Sequence, residues 1–222
     1  MPKISICGRK FHTIVFQVII SLIFLHQISS AQASPNAPVG TVAALKGTAS
    51  VIRDGAEVMK PVLLNSPIYQ RDIFKTGENS KIKLKFLDDS MVSLGANTTM
   101  RVSKYVYSPK QKKRSAFITI PEGIFRMVVS KFLPNSRFEV QTATAVSAVR
   151  GTDWMGFASE SSTSIFVANG TVSIKSGNKG IEGELILTEG EGTVVKLDEV
   201  LSFKKKWGQA KVSDYVGCTT ID

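Results

Sequence analysis

Residues that perform acid–base or nucleophilic chemistry are scarce in this chain. Both histidines, His12 and His26, and one of the two cysteines, Cys7, precede residue 34, and the other cysteine is Cys218. Histidine catalysis, Cys–His pairs and multi-cysteine zinc sites all need these residue types. If the first 33 residues are removed, the sequence predicts a protein that is not an enzyme and holds no cofactor or metal.

Paired carboxylates are the remaining catalytic candidates, because two of them can hydrolyse a glycosidic bond without histidine. Asp88 and Asp89 are adjacent, and Glu182 and Glu184 lie two residues apart. Adjacent strand residues point to opposite faces of a sheet. The glutamates lie beside glycines, with no aromatic residue nearby to stack on a sugar. A glycan hydrolase is therefore the least favoured hypothesis.

The first 33 residues have the composition of a cleavable signal peptide. A basic start, with Lys3, Arg9 and Lys10, precedes an apolar run over residues 13–28 and the small residues Ala31-Gln32-Ala33. A membrane-spanning helix needs about 20 apolar residues, and this run is shorter. We predict a signal peptide over residues 1–33, cleavage between Ala33 and Ser34, and a short linker over residues 34–39.

Cleavage places the mature chain in the periplasm or outside the cell, without a membrane span. These compartments are oxidising, and Cys218 could form only an intermolecular disulfide, which leaves a disulfide-linked dimer open. The net charge falls from +10 to +7, because all three charges removed are basic. A basic exported protein suits an anionic polymer, lipid headgroups or an acidic protein, and nucleic acid is not an expected partner.

The mature chain has the pattern of an all-β protein. Short apolar runs of period two are broken about every eight to twelve residues by turn formers, which predicts an antiparallel β-sandwich or roll of about 12 short strands. Residues 80–86 alternate lysines with Ile82, Leu84 and Phe86, and a turn at residues 88–90 predicts a hairpin with residues 91–94. Helix, if present, is expected only in the tail, over residues 201–215.

Two segments of the chain resemble each other. Residues 42–51 and residues 165–174 each place a Gly-Thr pair between two apolar runs. Glycine readily adopts the positive φ of a tight turn. We interpret the segments as two related hairpins within one domain.

A cluster of basic residues follows the tyrosines of residues 105–107. Two interpretations of Lys110, Lys112, Lys113 and Arg114 remain open. They form either a solvated hairpin tip or the contact for an anionic partner, whose binding would weaken in salt.

Several motifs resemble the FecR-type periplasmic domain. Residues 72–77, Asp-Ile-Phe-Lys-Thr-Gly, are similar to the family's G-D-x-[IV]-x-T-G segment, and residues 149–154, Val-Arg-Gly-Thr-Asp-Trp, are similar to its V-R-G-T-x-[FW] segment. Three departures are Arg71 and Asp89 in place of glycine and Ala143 in place of proline. The resemblance runs over residues 40–197, which predicts a FecR-like β domain there and a tail over residues 198–222.

The resemblance implies an exported, non-catalytic interaction or signalling module of the bacterial cell envelope. Signalling proteins of the family carry an anti-sigma segment and a membrane helix ahead of this domain, whereas a cleavable leader is predicted here. We therefore expect a stand-alone domain without sigma-factor function. The alternative is a module that binds a polyanion, such as cell-wall glycan or lipopolysaccharide. Structural roles are expected for the motif residues Asp72, Thr76, Asp89, Arg150, Gly151 and Thr152.

Overall fold

The computed structural model describes residues 37–130, 133–178 and 180–221. Alternation of buried and exposed side chains along most of the chain produces strands rather than helices. These residues form seventeen strands and one helix: β1 Gly40–Lys46, β2 Ala49–Ile52, β3 Lys60–Pro61, β4 Pro67–Ile68, β5 Ile73–Thr76, β6 Lys81–Phe86, β7 Met91–Leu94, β8 Thr99–Ser108, β9 Lys113–Val128, β10 Asn135–Gln141, β11 Ala145–Val149, β12 Asp153–Ala158, β13 Ser162–Asn169, β14 Thr171–Ser176, β15 Leu185–Thr188, β16 Glu191–Lys196, β17 Lys205–Lys206 and α1 Gln209–Thr219.

The strands form two sheets that share β9. The first sheet has the order β4-β1-β6-β7-β9-β12-β13-β16-β17. The second has the order β3-β2-β5-β8-β9-β10-β11-β14-β15. All described pairs are antiparallel except β9 with β10. The all-β prediction is confirmed, with more strands than the expected twelve because short two-residue strands extend both sheets.

Strand β9 passes from one sheet to the other. Its first half pairs with β8 and β10, and its second half pairs with β7 and β12. The transition lies at Gly123, whose φ is +110°. A Cβ at Gly123 would lie 2.4 Å from the Cα of Thr98, so only glycine fits this close approach.

The two similar segments are arches rather than the expected hairpins. Around Gly47, β1 pairs within the first sheet and β2 within the second. Around Gly170, β13 and β14 divide between the two sheets in the same way. The φ values of +75° and +91° at these glycines turn the chain across the sandwich. The hairpin interpretation was wrong because turn residues do not specify whether the second strand pairs with the first or crosses the core.

The core lies between the sheets and contains inward side chains from both. Trp154 is fully buried, and its ring meets Phe125 edge-to-face with centroids 5.2 Å apart. Ile82, Leu84 and Phe86 of β6 are buried as their alternation predicted, and β6 and β7 form the predicted hairpin. Burial of each such side chain contributes about 1.5–3 kcal/mol to folding.

The tail covers part of the outer face of the first sheet. On that face, Phe166 lies opposite Met155 and Gly192. Trp207 stacks on Phe166 with centroids 5.4 Å apart. Gly192 leaves room for the Trp207 indole, because a Cβ at position 192 would lie 2.4 Å from the indole ring. Met155 and Phe166 are therefore buried although they lie outside the main core.

Helix α1 follows Trp207 and rests against the same sheet. The Lys81 ammonium donates to the carbonyl oxygens of Gly217 (2.6 Å) and Thr220 (2.9 Å), where the helix dipole favours a cation. The expectation that helix is confined to the tail is confirmed for the described residues, but the helix spans Gln209–Thr219 rather than residues 201–215. The helix begins at Gln209, because Gly208 remains extended. No helix in the described part of the chain is long and apolar enough to cross a membrane.

Candidate interaction surface

The basic cluster after β8 divides between the surface and the interior. Lys110, Lys112 and Lys113 are exposed at the tip of the β8–β9 hairpin. Arg114 is instead fully buried, and its Nη1 lies 2.5 Å from the Asp88 carboxylate. The hypothesis that Arg114 contacts a partner was wrong, because Arg114 continues the inward-facing series of Ala116, Ile118 and Ile120 on β9. That alternation was the signal in the sequence.

Asp88 and Arg114 form a buried polar network. The Asp88 carboxylate also accepts hydrogen bonds from the hydroxyls of Ser90 (2.7 Å) and Tyr105 (2.7 Å). Arg114 donates from Nε to the Ser136 hydroxyl (3.0 Å). Burial raises the pKa of Asp88, but the hydrogen bonds from Arg114, Ser90 and Tyr105 outweigh burial and leave that pKa below its ordinary value. The network therefore joins the β6–β7 turn to β8, β9 and β10, and Asp88 is not free to act as a catalytic acid or base.

Asp72, ahead of β5, is a second buried carboxylate. It pairs with Arg53 and accepts a hydrogen bond from the Tyr69 backbone N–H at 2.8 Å. Burial raises the pKa of Asp72, and this effect is larger than the lowering effects of Tyr69 and Arg53, so the pKa lies above its ordinary value. A cleft of about 280 Å³ is lined here by Asp72 and its neighbours. The Arg53 guanidinium lies 4.6 Å from the centroid of the Tyr69 ring and also donates to the Pro67 carbonyl, so it is committed to the fold.

Thr76 has a comparable structural position at the end of β5. Its hydroxyl donates to the Gly95 carbonyl (2.6 Å) and accepts from the Thr98 backbone N–H (2.9 Å). These contacts tie β5 to the loop between β7 and β8. They support the structural role expected for Thr76.

Two departures from the family pattern occur at turns with positive φ. Arg71 has a φ of +70° and Asp89 a φ of +62°. Glycine adopts this conformation at low cost, which explains why the resembling family has glycine at both positions. Here each side chain gains a surface ion pair, Arg71 with Asp54 and Asp89 with Lys85, both at 3.0 Å.

The segment Arg150-Gly151-Thr152 forms the turn between β11 and β12. Gly151 has a φ of +62°, and its carbonyl would lie 2.9 Å from a Cβ placed at Gly170. The Thr152 hydroxyl donates to the Thr171 carbonyl at 3.0 Å. Gly151 and Thr152 thus fix the close approach of the turn to the β13–β14 arch, while the Arg150 side chain is exposed.

The outer face of the second sheet presents a broad surface, which we call the open face. It consists of the outward side chains of β5, β8, β9, β10, β11 and β14. Its central members are Lys75, Arg101, Lys104, Val106, Phe117, Thr119, Gln141, Val146 and Lys175. Each is exposed or half-buried, so the face is accessible over six strands, whereas the tail covers part of the first sheet.

On the outer face of the first sheet some cations are held by contacts within the domain, while Lys46 and Lys83 lie in no ion pair among the described residues. On the first sheet, Lys81 is bound to the end of α1, and Arg126 forms a two-point ion pair with Asp153 at 2.9 and 2.7 Å. On the open face, Lys75, Arg101, Lys104 and Lys175 are exposed, and within the described ranges none of them lies in an ion pair. The basic charge of the open face is thus available to a partner.

Other predicted positions lie apart from the open face. Cys218 is exposed on α1 as a free thiol. The cleavage positions Ala33 and Ser34 lie outside the described residues. Among the residues that the structure describes, no cluster of three histidine, cysteine, aspartate or glutamate side chains could hold a metal ion.

Comparison with known families identifies the domain. The model of the FecR protein family matches residues 72–173, from the turn before β5 into β14. The chain carries a FecR domain. The resemblance, predicted over residues 40–197, is confirmed over residues 72–173. The strands outside the matched residues extend both sheets. No curated protein matches the chain.

Two solved structures share the architecture. Both are crystal structures from Parabacteroides distasonis ATCC 8503, at 1.65 and 2.50 Å resolution, described as a "putative anti-sigma factor". Each is 20% identical to this chain, with a TM-score of 0.52, over 65% of this chain. The chain spans 64% and 63% of those proteins, which is less than two thirds of their length. At this identity the likeness shows the fold alone.

Proposed function

We propose that the FecR domain is a non-catalytic interaction module of the bacterial cell envelope, which binds another envelope component through the open face. The observation that carries this proposal is the accessible outer face of six strands, which combines exposed cations with Phe117 and Val106. Binding surfaces commonly place apolar side chains within a polar surround. The description of the solved relatives as anti-sigma factors supports a signalling role for this contact.

The use of the carboxylates supports a binding role rather than catalysis. Both oxygens of Asp88 accept hydrogen bonds within the interior, and Asp72 is paired with Arg53 beneath the surface. Glu184 is hydrogen-bonded to Ser173 on the sheet. These carboxylates thus have their partners within the domain.

Export rests on the predicted leader. Mass spectrometry of the protein recovered from the envelope fraction is expected to find Ser34 as the first residue. Recovery of the intact leader on the accumulated protein would contradict export by cleavage.

The open face can be tested with a photo-crosslinking amino acid placed at single positions in living cells. Val106 is suitable because it is 44% exposed on the open face. Leu87, which is 57% exposed on the β6–β7 turn of the first sheet, is the matched control. We expect a discrete adduct with an envelope component from position 106 and none from position 87. Equal adduct formation at both positions, or none at position 106, would refute the open face as the contact surface.

A further inference from the structure

A single row of side chains crosses the open face between two cations. Cross-strand register places Arg101 opposite Thr119, Thr119 opposite Gln141, Gln141 opposite Val146 and Val146 opposite Lys175. The row crosses four gaps between strands, and neighbouring strands lie about 4.8 Å apart. Measured along the sheet, the Cα atoms of Arg101 and Lys175 are therefore about 19 Å apart, with a hydroxyl, an amide and the Val146 side chain between them.

Two more cations flank this row. The row on one side of it contains Lys75, which is paired with Thr99. The row on its other side contains Lys104, which is paired with Phe117. Glu139 is the nearest carboxylate on the Lys104 row, and it is paired with Arg137 at 2.7 Å.

Two further carboxylates lie on this face: Glu122, opposite Thr99 on the Lys75 row, and Glu184, which is hydrogen-bonded to Ser173 and lines a cleft with Lys175. The four cations and Arg137 still outnumber the three carboxylates by five to three, so the open face keeps a net positive charge.

We infer that the open face binds an anionic polysaccharide, lying across the strands along the row from Arg101 to Lys175. This inference rests on the proposed function and names the partner of the same surface. Cations at both ends would hold carboxylate or phosphate groups of the polymer, and the Gln141 amide would exchange hydrogen bonds with sugar hydroxyls. The Thr119 hydroxyl is hydrogen-bonded to the Ser103 hydroxyl at 2.9 Å, and its remaining hydrogen-bonding capacity would face the same sugars. A chain of sugars needs a long, shallow surface with repeated polar contacts, and this row is such a surface.

The row fits a polymer better than a membrane. Phe117 and Val146 are half-buried in the sheet, so they do not project far enough to enter the acyl region of a bilayer. The cations are also spread in a line over several strands rather than gathered at one edge. A bilayer remains the competing source of anionic groups that the experiment must separate.

The test measures binding of polygalacturonate to the purified full chain by calorimetry, with dextran as the uncharged control polymer. Wild-type affinity is expected to fall steeply with salt, because each ionic contact releases counterions. The double variant Arg101→Gln/Lys175→Gln should lose about tenfold in affinity, and its log–log salt slope should fall by about 2. The matched control Lys46→Gln/Lys83→Gln removes the same charge from the first sheet and should bind like wild type.

Several outcomes would overturn the inference. It fails if polygalacturonate does not bind, if dextran binds equally well, or if the two double variants lose the same affinity. It also fails if the chain binds phosphatidylglycerol vesicles but not polygalacturonate. If polygalacturonate does not bind while Val106 still forms its specific photo-adduct, the polysaccharide is wrong and the open face stands as the contact for another partner.

Discussion

The buried pair of Asp88 and Arg114 provides the sharpest test of how this fold is held together. In Asp88→Asn the Arg114 guanidinium keeps its place in the interior but loses its counter-ion. Removing one partner of a buried ion pair typically costs about 3–5 kcal/mol. Arg114 also donates to the hydroxyls of Ser130 (3.2 Å) and Ser136 (3.0 Å), which remain in the variant. We therefore expect a loss of about 3 kcal/mol, at the lower end of that range.

The measurement is urea unfolding at neutral pH, followed by the fluorescence of Trp154 and Trp207. A loss of about 3 kcal/mol corresponds to a fall of about 1.5 M in the urea midpoint for a domain of this size. Asp89→Asn is the matched control, because Asp89 is exposed and pairs only with Lys85 at the surface. Such exposed pairs contribute about 0–1 kcal/mol. If the two variants have the same midpoint, the buried network does not stabilise the fold.

Three further predictions concern pH, the arch and the tail. Because the pKa of Asp88 is lowered in the folded state, its contribution to stability is complete above the unfolded pKa of about 3.9 and is lost as the pH falls below it. The difference in urea midpoint between wild type and Asp88→Asn should thus shrink in acid, and a constant difference would contradict this. Gly170→Ala should lower the free energy of unfolding by about 2 kcal/mol. The alanine Cβ is strained at positive φ and also lies too close to the Gly151 carbonyl oxygen. Gly55→Ala, also at positive φ but in open space, should cost less in the same urea titration, and an equal cost would refute the packing argument. Trp207→Ala should lower the free energy of unfolding by about 2 kcal/mol, because it removes the stacking on Phe166. It should also reduce the helical circular dichroism signal. An unchanged spectrum would mean that α1 forms without Trp207.

Local sequence patterns were sufficient wherever one residue and its near neighbours decide the outcome. Alternation along residues 80–86 predicted β6 and its buried face, because side chains in a strand alternate between two environments. Turn residues predicted the sharp reversals, and the FecR motifs predicted the family that the comparison found. The glycine positions of those motifs coincide with positive φ at Arg71 and Asp89.

Tertiary structure decided the contacts between residues far apart in the chain. Alternation along β9 directs Arg114 inward, but only the fold brings it to Asp88, 26 residues earlier, which supplies its charge partner. The crossing of β9 between sheets, and the two arches in place of hairpins, depend on which strands meet rather than on the turns themselves.

The open face likewise could not be located from the sequence. Its row from Arg101 to Lys175 draws on five strands, and the register between strands alone aligns these side chains. The sequence by itself determined the strands, the turns, the family and the lack of histidine after the predicted leader. The packing of two sheets decided which charges are buried in pairs and which remain available at the surface, because that choice depends on partners that only folding brings together.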